Sequence, residues 1–206
     1  MKRILMVSSL VLVCSGAVEA QDKPSAGGLF VEPMLTYEKG EGEIDYPSPI
    51  NSSSNDIDGF GVGARVGVHI YESLFIGADG RYSMPNFKDS SLNQDVKAKS
   101  FNYGPVVGFQ MPTTIGLRVW GGYILGGELD PEKDQNVDAK FKEAKGYRVG
   151  AGIKLGITSL NLEYQDIKYD KTEIQEVGVF TPGSSYSNVN LENQSWILSV
   201  SFPIAI

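Results

Sequence analysis

Residues 60–82 read FGVGARVGVHIYESLFIGADGRY, and this stretch decides the fold. Every second residue from Phe60 onward is apolar, and the same alternation returns from Leu74. A period of two places the apolar residues on one face of a β-strand. The few residues around Glu72 leave room only for a tight turn. The stretch therefore predicts a β-hairpin with one apolar face and one face that carries charges and glycines.

The same alternation occurs in eight segments after residue 28, and it predicts eight antiparallel strands. In chain order, the apolar sets are Leu29, Val31, Pro33, Leu35 and Tyr37; Phe60, Val62, Ala64, Val66, Val68 and Ile70; Leu74, Ile76, Ala78, Gly80 and Tyr82; Phe101, Tyr103, Pro105, Val107 and Phe109; Leu117, Val119, Gly121 and Tyr123; Tyr147, Val149, Ala151, Ile153 and Leu155; Leu160, Leu162 and Tyr164; and Trp196, Leu198, Val200, Phe202 and Ile204. None of these positions is charged.

Long connections and short turns alternate between the segments. Short turns are predicted near Glu72, at residues 112–114 and at residues 157–158, and long stretches follow the first, third, fifth and seventh segments. Because the chain reverses direction at every connection, all the long ones fall at one end. This asymmetry is typical of β-barrels in the bacterial outer membrane.

Each segment also carries an aromatic residue at the long-connection end of its apolar face. These residues are Tyr37, Phe60, Tyr82, Tyr103, Tyr123, Tyr147, Tyr164 and Trp196. Amphipathic rings at one height mark a membrane interface, whereas a soluble lipocalin-like core has no need of them. The sequence therefore predicts an all-β fold, an eight-stranded antiparallel up-and-down transmembrane β-barrel.

The N-terminus has the features of a secretory signal peptide. Basic residues precede an apolar stretch over residues 4–13, and small residues lead to an A-x-A-like site that ends at Ala20. The apolar stretch is too short to span a bilayer as a helix. We therefore predict a cleaved signal peptide over residues 1–20 and a single barrel domain over residues 21–206.

The single cysteine, Cys14, lies inside the predicted signal peptide. The mature chain is therefore expected to lack thiol chemistry and disulfides. A lipoprotein acylated at Cys14 is the alternative, although Val13 occupies a position where that signal requires a small residue.

The composition excludes one class of partner. Removal of the predicted signal peptide leaves 16 Lys and Arg residues against 24 Asp and Glu residues. An acidic chain repels nucleic acid, so no nucleic-acid partner is expected.

The C-terminal segment Trp196–Phe202 reads WILSVSF. Together with the eight alternating segments, it resembles the small eight-stranded outer-membrane β-barrels. That family includes the OmpA transmembrane domain and the OmpX-like and OmpW-like barrels, also described as porin-family outer-membrane β-barrel domain proteins. The resemblance implies the outer membrane of a Gram-negative bacterium, insertion by the barrel-assembly machinery, and contact with outer-membrane lipid and lipopolysaccharide.

The face opposite the apolar sets predicts a polar barrel interior. Its bases are Arg65, Arg81, Arg118, Arg148 and Lys154, and its acids are Glu32, Asp79 and Glu163, with Glu38 near the upper rim. Eight strands enclose a lumen that side chains can fill, and buried charges are costly unless paired. We therefore expect a paired charge network that plugs the barrel. A gate whose ion pairs rearrange to pass ions is the alternative.

Hairpin pairing gives first expectations for this network. Arg65 faces Asp79 or Arg81, depending on the register of the second and third strands. Lys154 is expected to lie diagonal to Glu163 across the turn at residues 157–158.

The only histidine, His69, is predicted to face the lumen near the periplasmic turn. The resemblance implies that barrel enzymes need their histidine near the outer leaflet. We therefore expect no enzymatic activity, no cofactor and no metal, and a hydrogen-bonding role for His69.

The long connections are acidic and are expected to form solvated, mutually repelling extracellular loops. The acidic residues are Glu41, Glu43, Asp45, Asp56 and Asp58 in the first, and Glu128, Asp130, Glu132, Asp134 and Asp138 in the third. The segment 56–59 lacks the spacing of a calcium-binding loop. The OmpX-like resemblance implies that such loops contact other surfaces, so an extracellular partner is expected there.

These expectations favour a non-enzymatic outer-membrane barrel with a filled polar interior and long acidic extracellular loops. Its role would be structural or would lie in surface interactions. The alternative, implied by the OmpW-like resemblance, is a narrow channel for ions or small apolar solutes.

Overall fold

The computed structural model describes residues 28–45, 52–89, 94–132, 137–177, 184–186 and 190–206. The strands are β1 (Leu29–Asp45), β2 (Ser53–His69), β3 (Leu74–Asp89), β4 (Gln94–Gln110), β5 (Ile115–Ile124), β6 (Gly126–Pro131), β7 (Val137–Leu155), β8 (Thr158–Val177), β9 (Ser184–Tyr186), β10 (Asn190–Ser201) and β11 (Ile204–Ala205). The predicted signal peptide lies outside the described residues. Within the described part of the chain, no helix is long and apolar enough to cross a membrane.

The strands close into one antiparallel ring in the order β1, β2, β3, β4, β5, β7, β8, β10 and back to β1. β6 continues β5 and β11 continues β10, so these two pairs each form one barrel strand. The short β9 pairs with the end of β8, on the same edge as β10. The predicted eight-stranded up-and-down barrel is confirmed.

The fifth barrel strand contains a β-bulge. Residues 123–125, between the paired ends of β5 and β6, lie opposite only Gly104 and Pro105 of β4. An extra residue on one strand bends it locally, and proline has no N–H to donate to the ladder. The strand resumes because the Leu125 N–H donates to the Tyr103 carbonyl at 2.9 Å.

The apolar sets face outward, as predicted. Leu35, Leu117 and Val107 are 60, 59 and 56% exposed, whereas Arg65 on the opposite face is only 1% exposed. An apolar exterior around a charged interior is stable only in lipid. The orientation of a membrane barrel is therefore confirmed.

The prediction of long extracellular loops is wrong, because most of the residues assigned to them lie in β-strands. β1 continues to Asp45, β2 already begins at Ser53, and β6 and β7 cover most of residues 126–143. The expected loop acids are strand residues in most cases: Glu41, Glu43 and Asp45 lie on β1, Asp56 and Asp58 on β2, Glu128 and Asp130 on β6, and Asp138 on β7, while Glu132 follows β6 and Asp134 lies outside the described residues. The strands thus extend the barrel beyond the aromatic residues, and we call this part the extension.

The two faces exchange polarity in the extension. On β1, the outward Lys39 and Glu41 are exposed, whereas the inward Ile44 is buried. All eight barrel strands contribute to a buried apolar cluster, the apolar cap, formed by Ile44, Ile57, Phe87, Ala98, Ile124, Leu129, Phe141, Ala144, Ile167, Tyr169 and Leu191. The extension is therefore packed like a soluble β-structure, with an apolar inside and a charged outside.

Candidate functional site

The charged lumen is the candidate site. Inward positions of six barrel strands carry its ionisable side chains, each at most 7% exposed: Glu32 on β1, Arg65 on β2, Asp79 and Arg81 on β3, Arg118 on β5, Arg148 on β7 and Glu163 on β8. Charges withdrawn from water in this way need partners with good geometry. The structure brings these seven predicted residues into one network.

One ion pair spans the lumen from β5 to β1. Arg118 donates to Glu32 through both terminal nitrogens, with Nη1–Oε1 2.6 Å and Nη2–Oε2 2.7 Å. This two-point geometry is the strongest that guanidinium and carboxylate adopt. The two strands stand four places apart in the ring of eight, so the pair joins opposite walls.

A second ion pair spans the lumen from β3 to β8. The Arg81 Nη2 atom donates to both carboxylate oxygens of Glu163, at 2.9 and 3.1 Å. These strands are also four places apart, halfway between the walls joined by the first pair. The two ion pairs therefore cross the lumen along different diameters.

Asp79 is the hub of the network. Its carboxylate accepts hydrogen bonds from Arg81 at 2.7 Å, from Arg65 at 2.9 Å and from Arg148 at 2.9 Å. The register places Arg65 directly opposite Asp79, which decides between the two registers left open by the sequence. Arg148 also donates to neutral side chains, Asn102 and Gln165, so its charge is fully bonded.

Trp120 fills the space between the ion pairs. Its indole N–H donates to Glu163 at 3.2 Å, and the guanidinium carbons of Arg65 and Arg118 lie 4.8 and 5.6 Å from the ring centre. Cations near an indole face are stabilised by the ring quadrupole. Trp120 therefore joins the network chemically as well as filling volume.

Lys154 does not join the network, which corrects the expectation that it lies diagonal to Glu163. It stands opposite Ser159, whereas Glu163 stands opposite Gly150. The two side chains therefore face the lumen at different heights, with Lys154 at the turn end. Among the described residues, Lys154 has no ion-pair partner.

Glu38 forms the upper rim of the polar layer without an ion pair to a described residue. Its Oε1 atom accepts hydrogen bonds from Gln165 at 2.6 Å and from Ser195 at 2.6 Å. The sequence interpretation missed these neutral partners, although their inward parity on β8 and β10 could have identified them.

His69 ends β2 at the turn end of the lumen, where the sequence placed it. It is 5% exposed and packs against Phe30 and Phe75, with ring centres 4.9 and 6.2 Å away. Its Nδ1 atom has no hydrogen-bond partner among the described residues. The described residues also contain no group of three or more His, Cys, Asp or Glu side chains that could hold a metal ion.

The eight aromatic residues predicted to mark the membrane interface lie on the outer face, and we call this ring of side chains the girdle. Seven are exposed and Tyr164 is half-buried. Neighbouring rings touch: Tyr164 and Trp196 have centres 5.3 Å apart, and Tyr37 and Phe60 have centres 4.9 Å apart. The structure thus places these rings side by side around the barrel.

Above this girdle, lysines pair with acids across neighbouring strands. The pairs are Lys140 with Glu128 at 3.0 Å, Lys142 with Glu173 at 2.6 Å, Lys145 with Asp170 at 2.9 Å and Lys168 with Glu192 at 2.9 Å. The hydrogen bond to Asp170 raises the pKa of Lys145, and the hydrogen bond from Lys142 lowers the pKa of Glu173. Of the acids expected to repel one another, Glu128 and Asp130 both pair with Lys140, so mutual repulsion is the wrong description for these two.

Comparison with known proteins identifies the architecture. The profile of the family described as outer membrane protein β-barrel domain matches residues 8–202. No curated protein matches the sequence.

Three solved structures are similar to the chain. The outer membrane protein OprG from Pseudomonas aeruginosa has a TM-score of 0.51 and 7% identity, over 89% of this chain and 98% of that one. The outer membrane protein AlkL has a TM-score of 0.50 and 15% identity, over 88% of this chain and 92% of that one. Neisserial surface protein A has a TM-score of 0.43 and 14% identity, over 84% of this chain and 96% of that one. Likeness at such low identity concerns the fold alone.

Proposed function

The chain belongs to the outer membrane protein β-barrel domain family, and we propose that it serves in the outer membrane as a sealed, non-enzymatic barrel. Its role is structural or lies in contacts of its extracellular surface. One observation carries this proposal: two ion pairs cross the lumen along different diameters. They join Arg118 to Glu32 and Arg81 to Glu163.

Two different layers close the lumen. The charge network occupies the membrane part, where separating a buried ion pair leaves charges without solvent and costs several kcal/mol. The apolar cap fills the lumen above it, with Ile57, Leu129 and Ile167 each at most 2% exposed. An ion that passed the network would then meet a layer made mainly of apolar side chains, which cannot replace its water. These two layers favour a plugged barrel rather than a gate whose ion pairs rearrange to pass ions.

The outer face of the extension supports a surface role. A groove of about 1080 Å³ lies beside β1, β2 and β10. Its lining includes the girdle residues Tyr37 and Trp196 and the acids Glu41, Asp56 and Glu192. Apolar rings next to charged groups at the membrane surface suit contacts with the polar part of the outer leaflet or with an extracellular partner.

The placement of His69 supports the absence of catalysis. It is buried at the turn end, between Phe30 and Phe75, at the far end of the lumen from the extension. A general base must reach its substrate, so this imidazole is badly placed to act on outer-leaflet lipid or on extracellular molecules.

Planar-bilayer conductance of the refolded protein tests the proposal. We expect no single-channel steps from wild-type protein at neutral pH, in bilayers where a gel-mobility assay for the folded barrel confirms insertion. Empty bilayers treated with the same detergent are the control. Reproducible steps from the wild-type protein that are absent from the control would replace the sealed barrel with the alternative, a narrow channel.

A further inference from the structure

The turn end of the lumen, which faces the periplasm, has a positive charge that the network does not use. Among the residues that the structure describes, the lumen contains five Lys and Arg side chains and four acids, the acids being Glu32, Glu38, Asp79 and Glu163. Lys154 is the base left without an ion-pair partner among the described residues. It is half-buried and occupies the last inward position of β7.

Lys154 faces His69 across the mouth. Lys154 lies near the end of β7 and His69 ends β2, and these strands stand four places apart in the ring, so the two side chains belong to opposite walls of the same opening. On the neighbouring strand β5, Gly116 stands opposite Lys154, so Arg118, two residues along the same face, is the diagonal neighbour of Lys154. Three basic side chains therefore face this end of the lumen.

Two of these side chains have unused nitrogen atoms. The Arg118 Nε atom and the His69 Nδ1 atom are buried and have no hydrogen-bond partner among the described residues, and their side chains belong to residues that are 2 and 5% exposed. A buried polar atom without a hydrogen-bond partner costs about 1 to 3 kcal/mol, so such groups indicate a missing partner.

The nearest acid cannot supply that partner. The Glu32 carboxylate already accepts two hydrogen bonds from Arg118 and one from Ser201, and it lies 3.5 Å from Arg65. Glu72, in the adjacent turn between β2 and β3, is exposed to solvent. The uncompensated charge of Lys154 and the free N–H of Arg118 therefore call for an acceptor from outside the described chain.

We propose that the periplasmic mouth binds a small oxyanion, a phosphate or carboxylate group. Lys154 supplies the charge, the Arg118 Nε–H donates a hydrogen bond, and His69 donates a second one from Nδ1 once the bound anion has drawn the imidazole into its Nδ1–H tautomer. The aromatic rings of Phe30 and Phe75 pack against His69 and shield its imidazole from water. The ion pairs above the site prevent further passage, so the anion reaches it only from the periplasm.

Imidazole NMR tests the site directly, because the chain contains a single histidine. The full refolded protein, labelled with ¹⁵N-histidine, is titrated with inorganic phosphate at fixed pH in an alkyl glucoside detergent that contains no phosphate. We expect a saturable shift of the His69 nitrogen signals toward the Nδ1–H tautomer. A sodium chloride series of equal ionic strength should not reproduce this shift.

Two variants make the test specific. Lys154→Gln removes the charge and keeps a polar, unbranched side chain at this half-buried position, and we expect it to weaken phosphate binding at least tenfold. Lys145→Gln removes a lysine of the extension and should bind phosphate as the wild type does. A repeat in bilayers with and without phosphatidylglycerol separates the sources of the oxyanion: a lipid headgroup would shift the wild-type signals without added phosphate, and Lys154→Gln would abolish that shift.

Three results would overturn the site: no saturable shift with phosphate or phosphatidylglycerol, the same shift with chloride, or undiminished binding in Lys154→Gln. Bilayer conductance does not bear on these results. If the NMR titration showed no anion site, the proposal of a sealed barrel would be unaffected. If conductance showed an open channel, the NMR evidence for the anion site would likewise be unaffected.

Discussion

Arg118 on β5 and Glu32 on β1 hold opposite walls of the barrel together through two parallel hydrogen bonds of 2.6 and 2.7 Å. Their strands are never adjacent in the sheet, so this contact exists only in the closed barrel. It therefore reports closure of the ring, whereas a hydrogen bond within a hairpin can form before closure.

Arg118→Met should destabilise the barrel strongly. The substitution leaves Glu32 buried with only Ser201 and the more distant Arg65, and loss of one partner of a buried pair costs about 3 to 5 kcal/mol. Urea titration of the protein in lipid vesicles measures the free energy of unfolding. The double variant Arg118→Met with Glu32→Gln should recover part of the loss, because no unpaired carboxylate remains.

Lys145→Met is the matched control for that experiment. It removes an ion pair with Asp170 in which both side chains are exposed, and we expect no measurable change in the free energy of unfolding. If Arg118→Met and wild type had the same free energy of unfolding, the ion pair between Arg118 and Glu32 would contribute nothing to the stability of the folded barrel.

The membrane part of the fold could be predicted from the sequence because lipid imposes a simple pattern. Alternation around Phe60 and Leu74 gave the β2–β3 hairpin, and the girdle aromatics gave the height of the interface. The pairing of Arg65 with Asp79 was one of two registers that the hairpin allowed. The pairing of Arg118 with Glu32 could not be predicted from a hairpin, since it depends on which strands face each other after closure.

The extension escaped prediction because the two faces exchange polarity there, as from the inward Glu38 to the inward Ile44 on β1, and because the alternation also changes phase on two barrel strands. Glu143 on β7 has a left-handed φ of 58°, and the inward residues on either side of it are Phe141 and Ala144, three positions apart. A similar change occurs between Ile124 and Leu129, at the bulge that separates β5 and β6. A search for strict period two therefore ends at these positions, although the strands continue.

Leu129→Ala should loosen the extension and leave the membrane part intact. Leu129 is 2% exposed within the apolar cap, and removal of such a buried side chain costs about 2 to 5 kcal/mol. Amide hydrogen exchange in lipid should show faster exchange in the extension and unchanged protection around the ion pairs. Leu125→Ala, at an outward position that is 59% exposed, is the matched control and should exchange like wild type.

Uniformly faster exchange over the whole barrel in Leu129→Ala would contradict the separation of the two layers. It would mean that the apolar cap and the charge network unfold as one unit.

The surface pair of Lys142 with Glu173 should be visible in a pH titration. The hydrogen bond from Lys142 at 2.6 Å holds the pKa of Glu173 below 4.5, its ordinary value. A lowered folded-state pKa stabilises the protein at pH values above 4.5, and this contribution disappears as the pH falls through the lowered pKa. Carboxyl NMR of Glu173 should give a midpoint below 4.5 that returns to about that value in Lys142→Gln. An unchanged midpoint in the variant would assign the shift to other charges.

Charge should be tolerated on the outer face of β10 above the girdle and rejected below it. Leu198 and Gln194 share this face, on opposite sides of Trp196, and all three are exposed on the barrel surface. Leu198→Arg places a guanidinium in the lipid band, where the cost is about 2 to 4 kcal/mol near the bilayer midplane and falls to about 0 to 1 kcal/mol near the interface. Gln194→Arg places the same group in the polar part of the outer leaflet, where it can remain hydrated. Urea titrations in lipid vesicles should therefore show a large loss of stability for Leu198→Arg and little change for Gln194→Arg. Equal stabilities for the two variants would mean that the membrane boundary does not lie at the height of Trp196.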